Sequence, residues 1–142
     1  MPRVDAIWAN PLFQENLAAI EAAETQRVYC RHGLSHLLDV ARTAWIINLE
    51  GGFGLARDVV YAAALLHDIG RAAEYSEGIS HDVAGVEIAR RILGTVVAEQ
   101  RFSSAEAEAI VKAVRGHRAD DADAASCELS SLSSRLARVI AE

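Results

Sequence analysis

Residues 62–71 read AAALLHDIGR, from Ala62 to Arg71. An apolar run beginning at Val59 carries the backbone inward, and His67 and Asp68 then stand side by side. Leu65, Leu66 and Ile69 are core residues by type, so the pair sits where an unpartnered charge is costly. A divalent cation satisfies both groups at once, because it accepts a neutral imidazole nitrogen and a carboxylate oxygen as ligands. The duller alternative is an exposed helix end, with Asp68 and Gly70 stopping the helix.

Outward from this stretch the pattern is helical throughout. Proline occurs only at Pro2 and Pro11, alanine is abundant, and period-two alternation is scarce. This predicts an all-α chain folded as one helical bundle of about six helices. Asn10-Pro11 reads as an N-cap and first helical residue, opening a helix to about Glu24. A second helix spans about 34–49 and ends at Gly51-Gly52. A third, about 55–67, delivers His67 and Asp68. Residues 70–78 read as a turn. Ser80 caps a fourth helix, about 81–93, with Val83, Val86, Ile88, Ala89 and Ile92 inward and Gly94 ending it. Ser103 and Glu106 have capping-box spacing at the start of a fifth helix that closes at Gly116. The stretch 129–142 carries a sixth with one apolar face, and residues 1–9 read as an arm.

The 142 residues suit a single domain spanning 1–142. A net charge of −6 argues against a protein that coats a nucleic-acid polymer, which wants a basic face. A small phosphorylated substrate remains compatible, since local arginines and a metal reverse the field. Cys30 and Cys127 form no CxxC pair, and nothing marks the chain as secreted, so reduced thiols and a cytoplasmic location are expected. The run Val59 to Leu66 is too short to span a bilayer, and no membrane partner is expected.

The five histidines are His32, His36, His67, His81 and His117. His32 and His36 lie four apart on an expected helix and so share a face. His81 opens a helix and His117 closes one. His36 in HGLSHLLDVA, His67-Asp68 in LLHDIGR, His81 in SHDVAG and His117 in RGHR together resemble the HD superfamily of metal-dependent phosphohydrolases. The likeness is to small bacterial HD-domain proteins with an HDIG core, and runs from about His32 to about His117. It implies an HD-type helical bundle.

Such imidazoles with a shared carboxylate suit iron, manganese, nickel or zinc better than calcium; magnesium is also allowed for. The resemblance implies that His36, His67 and Asp68 hold a first ion. It implies that His81 and His117 hold a second, with Asp68 bridging and positioning a metal-activated water that attacks phosphorus. Arg71 and Arg118 are candidates to grip a phosphate through the guanidinium fork, and Arg31 and His32 to reach the substrate. Asp82 is a candidate to orient His81. Each has a bland rival: a solvated arginine, polar packing at a helix start, or an acid favoured by a helix dipole.

One departure stands out. The family's closing aspartate lies in a C-terminal helix, and the best alignment places Ala137 there. Water or substrate, a loop acid (Asp120, Asp121, Asp123 or Glu128), or loss of catalytic strength would each account for it. The expected function is hydrolysis of a phosphate ester in a nucleotide or other small phosphorylated metabolite. The alternative is a weakened domain that binds metal or nucleotide as a sensor. A homodimer is allowed for.

Overall fold

The structure, a computed structural model, describes residues 1–117 and 132–141. Among these residues it is all-α, with eight α-helices, one 3-10 turn and no strand. They are α1 (Pro2–Trp8), α2 (Pro11–Ala23), α3 (Leu34–Glu50), α4 (Arg57–Leu66), α5 (Arg71–Glu77), α6 (His81–Thr95), α7 (Ser104–Arg115) and α8 (Leu132–Ala141).

The centre of the bundle is α4. Val59, Val60, Ala62, Ala63, Ala64, Leu65 and Leu66 are all buried. Three consecutive alanines leave room for neighbours on every side, and α1, α3, α7 and α8 pack around it. Leu37, Ala41 and Ala44 of α3, Ile110 and Val114 of α7, and Leu136 and Val139 of α8 close the core. Asn48 is buried on α3, where its side chain accepts from the Leu55 N–H (3.0 Å) and donates to the Leu55 carbonyl (3.3 Å). It thereby fixes the loop that feeds α4, since buried backbone groups need such partners.

Two expected caps are present. The Asn10 side chain accepts from Leu12 N–H at 2.9 Å, and Ser103 and Glu106 form a reciprocal capping box. Two helices exceed the expected six. Residues 1–9, read as an arm, hold α1, because Val4 and Ile7 bury on the core while Arg3 bonds Asp58 (2.6 Å) and Glu106 (2.8 Å). Residues 70–78, read as a turn, hold α5, which buries no residue completely and so carries no apolar stripe to detect.

The inward face of α6 also differs from expectation. Val83 is exposed, and the buried positions are His81, Asp82, Gly85, Ala89, Ile92 and Leu93. Their spacing is helical, but the first turn presents polar residues inward. Gly70 and Gly85 explain why. A Cβ on Gly70 would lie 2.0 Å from the His81 carbonyl oxygen and 2.5 Å from the Gly85 nitrogen. The start of α5 therefore rests directly on the first turns of α6, backbone on backbone, and His81 is turned toward Asp68. Gly94 does not end α6, which continues through Thr95.

Candidate metal centre

Asp68 follows α4 in the tight turn before α5 and is only 2% exposed. Its two oxygens face different partners. Oδ2 lies 2.9 Å from His67 Nε2 and 3.4 Å from His36 Nε2. Oδ1 lies 3.6 Å from His117 Nε2, 3.7 Å from His81 Nε2 and 2.8 Å from Arg71 Nε. Burial alone would raise the Asp68 carboxyl; protons carried toward it by the His117, His36 and His67 rings would outweigh burial and hold the group far below the usual carboxylate range.

The rings are fixed from behind. His67 Nδ1 donates to the Ala64 carbonyl at 2.7 Å, and His117 Nδ1 to the Val114 carbonyl at 2.7 Å. A carbonyl only accepts, so both protons sit on Nδ1 and both Nε2 atoms face inward. His81 Nδ1 lies 3.1 Å from each oxygen of Glu74, which assigns the same tautomer. Burial pushes the His81 imidazole below its usual value, with Glu74 opposing. The Nε2 atoms of His81 and His117 are 3.1 Å apart.

His32 is held in a similar way. It precedes α3 in a loop rather than lying on that helix with His36, as expected. The reason is Glu24, the buried C-cap residue of α2, which accepts from the His32 backbone N–H (2.5 Å) and ring Nδ1 (2.6 Å). This bond pins the incoming chain to α2 before α3 begins at Leu34. Tyr75 Oη donates to the same carboxylate at 2.5 Å. Burial opposes ionisation of Glu24, yet the hydrogen bonds from Tyr75 and His32 bring it below its usual value.

These contacts produce two convergent groups of donor atoms. One atom each from His32, His36 and Asp68 lies within 4.8 Å of the others, and the same holds for Asp68, His81 and His117.

A family model for the HD domain matches residues 33–140. The chain belongs to the HD domain family. An uncharacterized protein of Clostridium beijerinckii is 40% identical over 95 residues, covering 67% of this chain and 58% of that protein. Ribonuclease Y of Sulfurovum sp. is 33% identical over 81 residues, and Ribonuclease Y of Aquifex aeolicus 32% over 93. Those matches cover 57% and 66% of this chain but only 16% and 14% of the respective ribonucleases. The chain thus spans a little over half of the first relative and under a fifth of the other two. No solved structure matches it significantly.

Of the residues singled out in the HD sequence, His36, His67, Asp68, His81 and His117 all meet at one point. Arg71 is there too, but it is turned onto Asp68 and, at 3.6 Å, Glu74 rather than left open for a ligand. Arg31 is exposed and bonds the carbonyls of Arg27 and Thr25 at the rim of a cavity of about 280 Å³ beside His36. Arg118, Cys127, Asp120, Asp121, Asp123 and Glu128 lie outside the described residues. Asp82 does not orient His81. It is taken by Arg115 and by the Ser80 hydroxyl, and Glu74 does the orienting instead. Glu24, Glu74 and Tyr75 are functional candidates that the sequence did not mark. None belongs to a spaced motif, and each reaches the site only through tertiary packing.

A divalent cation fits this donor set. With Nδ1 committed at His32, His67, His81 and His117, each of these rings has its remaining nitrogen free of that tie. Two unprotonated nitrogens facing each other at 3.1 Å repel, and a cation bound to both relieves that repulsion. The mixed imidazole and carboxylate set suits a transition metal.

Proposed function

We propose that this HD domain is a metal-dependent phosphohydrolase acting on a phosphate ester of a nucleotide or other small phosphorylated metabolite. The observation that carries the reading is the division of Asp68: one oxygen toward His36 and His67, the other toward His81 and His117. On this reading His36, His67 and Asp68 hold one ion, and Asp68, His81 and His117 hold a second. Bound divalent ions supply an activated water and take up charge on phosphoryl oxygens. Iron, manganese, nickel or zinc suits these donors.

The chain's own residues do the rest. Ala64 and Val114 carbonyls and the Glu74 carboxylate fix the imidazole tautomers, so ligand orientation is set before anything binds. Arg71 neutralises part of the Asp68 and Glu74 charge, and a phosphate arriving at Asp68 competes for its guanidinium. The cavity beside His36, lined by Glu21, Thr25, Arg31 and Leu34, gives a small substrate a place next to the ligand cluster. The Ribonuclease Y relatives, by their name, act on RNA, which is also a phosphate ester. The net charge of −6 favours a smaller substrate here.

Ala137 favours a second reading, a metal or nucleotide sensor, because alanine offers no ligand where the HD pattern closes. One set of measurements separates the readings. Protein purified without chelator should contain a transition metal by elemental analysis, and His67→Ala or Asp68→Ala should abolish it. Full metal retention in both variants would refute the site. Metal-loaded protein is then screened against phosphomonoesters, phosphodiesters and nucleotides with added manganese, iron or nickel. Turnover supports the enzyme, and its absence in a loaded sample supports the sensor.

A further inference from the structure

We infer that His32 is a ligand of the ion on the His36 side of Asp68, with Glu24 and Tyr75 acting as its positioning residues. The inference rests on the metal reading above and extends it to residues outside the HDIG motif.

His32 is nearly buried, and both its backbone and its ring are tied to one carboxylate. Glu24 is 2% exposed and accepts three hydrogen bonds, from His32 N–H, His32 Nδ1 and Tyr75 Oη. A buried carboxylate committed to three donors is a rigid acceptor, so it assigns the His32 proton to Nδ1. The atom left for other work is Nε2. One ring nitrogen of His32 belongs to the group in which His32, His36 and Asp68 donors lie within 4.8 Å of one another, and Nδ1 is already committed to Glu24. The two rings are 5.1 Å apart and nearly perpendicular, at 78°, so they do not stack face to face and cover their inward nitrogens.

The same construction recurs across the site. Glu74 holds His81 through Nδ1, and that ring faces Oδ1 of Asp68. Glu24 holds His32 through Nδ1 on the other side. Two carboxylate-backed imidazoles therefore flank one shared carboxylate, and a backing carboxylate is how metal-ligating histidines are commonly oriented and made more basic. A substrate-contacting role alone does not call for such locking. His32 stands just ahead of the region that the HD model matches, residues 33–140.

The test uses the full chain. Binding of manganese and cobalt is measured by calorimetry on wild type, His32→Ala and Glu24→Gln, with circular dichroism and thermal melts as a folding control. Loss of His32 should weaken binding of the ion on the His36 side by at least about 100-fold, and Glu24→Gln by about 10- to 100-fold. A Michaelis constant that rises in His32→Ala while metal affinity stays unchanged would overturn the inference in favour of a substrate contact. Should His32→Ala not fold, wild-type protein labelled with ¹⁵N-histidine decides the question. On addition of one and then two equivalents of zinc, the His32 Nε2 resonance should move to a metal-bound shift while Nδ1 stays protonated. An unmoved Nε2 at full loading would overturn it. If wild type binds no metal at all, the metal reading itself fails, an outcome distinct from metal binding that ignores His32.

Discussion

Gly70→Ala adds one methyl group where the start of α5 rests on α6. The new Cβ would sit 2.0 Å from the His81 carbonyl oxygen, 2.5 Å from the Gly85 nitrogen and 2.9 Å from the His81 carbonyl carbon. All three are backbone atoms, so no side chain can rotate away. To reach even the 3.0 Å that real Cβ contacts respect, the His81 carbonyl must retreat by about 1 Å. Overpacking of this kind costs about 1–3 kcal/mol, and a backbone clash belongs at the upper end. For 142 residues the unfolding entropy is about 0.3 kcal/mol/K, so ~3 kcal/mol lowers Tm by ~10 °C. The same retreat carries His81 away from His117 and Asp68. Metal–nitrogen bonds tolerate only a few tenths of an ångström, so on the two-ion reading the ion on that side should be lost and the other kept. Gly94→Ala is the matched control. Gly94 lies inside α6 with nothing within 4 Å of its would-be Cβ, so alanine there should stabilise by about 0.5–1 kcal/mol. Chemical denaturation and metal analysis of both variants provide the check. Equal stability changes of one sign, or a Gly70→Ala protein with unaltered Tm and metal content, would refute this account of the crossing.

Two further perturbations probe the supports of α4. Arg3→Gln removes the half-buried guanidinium shared by Asp58 and Glu106, and should cost about 1–3 kcal/mol at neutral pH by denaturant titration. Arg3 is also the main cause that holds the Glu106 carboxyl below its usual value, with burial opposing and Ser103 assisting. A depressed carboxyl stabilises above its unfolded value and ceases to as pH falls through its folded one, so the gap between wild type and Arg3→Gln should shrink in acid. A gap that widens in acid would be the wrong sign. Asn48→Ala leaves the buried Leu55 N–H and carbonyl without their side-chain partner, and should cost about 1–3 kcal/mol by the same assay.

What was legible in the sequence follows from what each signal depends on. The α4 run, the Asn10 cap and the Ser103–Glu106 box are local, so periodicity and spacing announce them. The gathering of His36, His67, His81 and His117 around Asp68 was legible because these side chains stand at helix ends beside apolar runs. The orientation of α6 was not, because its inward first turn is made of His81, Asp82 and Gly85, and hydrophobic patterning counts none of these as core. Likewise α5 has no buried stripe, and α1 is too short to show a period. Glu24 and Glu74 were hidden for a different reason. A carboxylate that backs a histidine is chosen by proximity in space, and 8 and 7 residues of chain separate these acids from their partners.

The charge balance around Asp68 shows why these hidden acids matter. Suppose the four rings with anchored Nδ1 atoms were all imidazolium. Two like charges about 3–4 Å apart repel by roughly 5 kcal/mol even at an effective dielectric of about 20, and His81 and His117 stand at 3.1 Å. Arg71 adds a further cation against Asp68. Suppose instead that the rings are neutral. Their inward nitrogens then meet the Asp68 oxygens as acceptor against acceptor, and Arg71 is the guanidinium seen bonding Asp68. Neither state is at rest by itself. The acids act from outside: Glu24 and Glu74 each accept the proton on the far nitrogen of a ring, which turns the other nitrogen inward, while burial, against the acids, holds these two imidazoles below their usual value. On the metal reading, a cation held by these inward-facing nitrogens and the shared carboxylate completes the arrangement, so the backing acids and the donor cluster form one device.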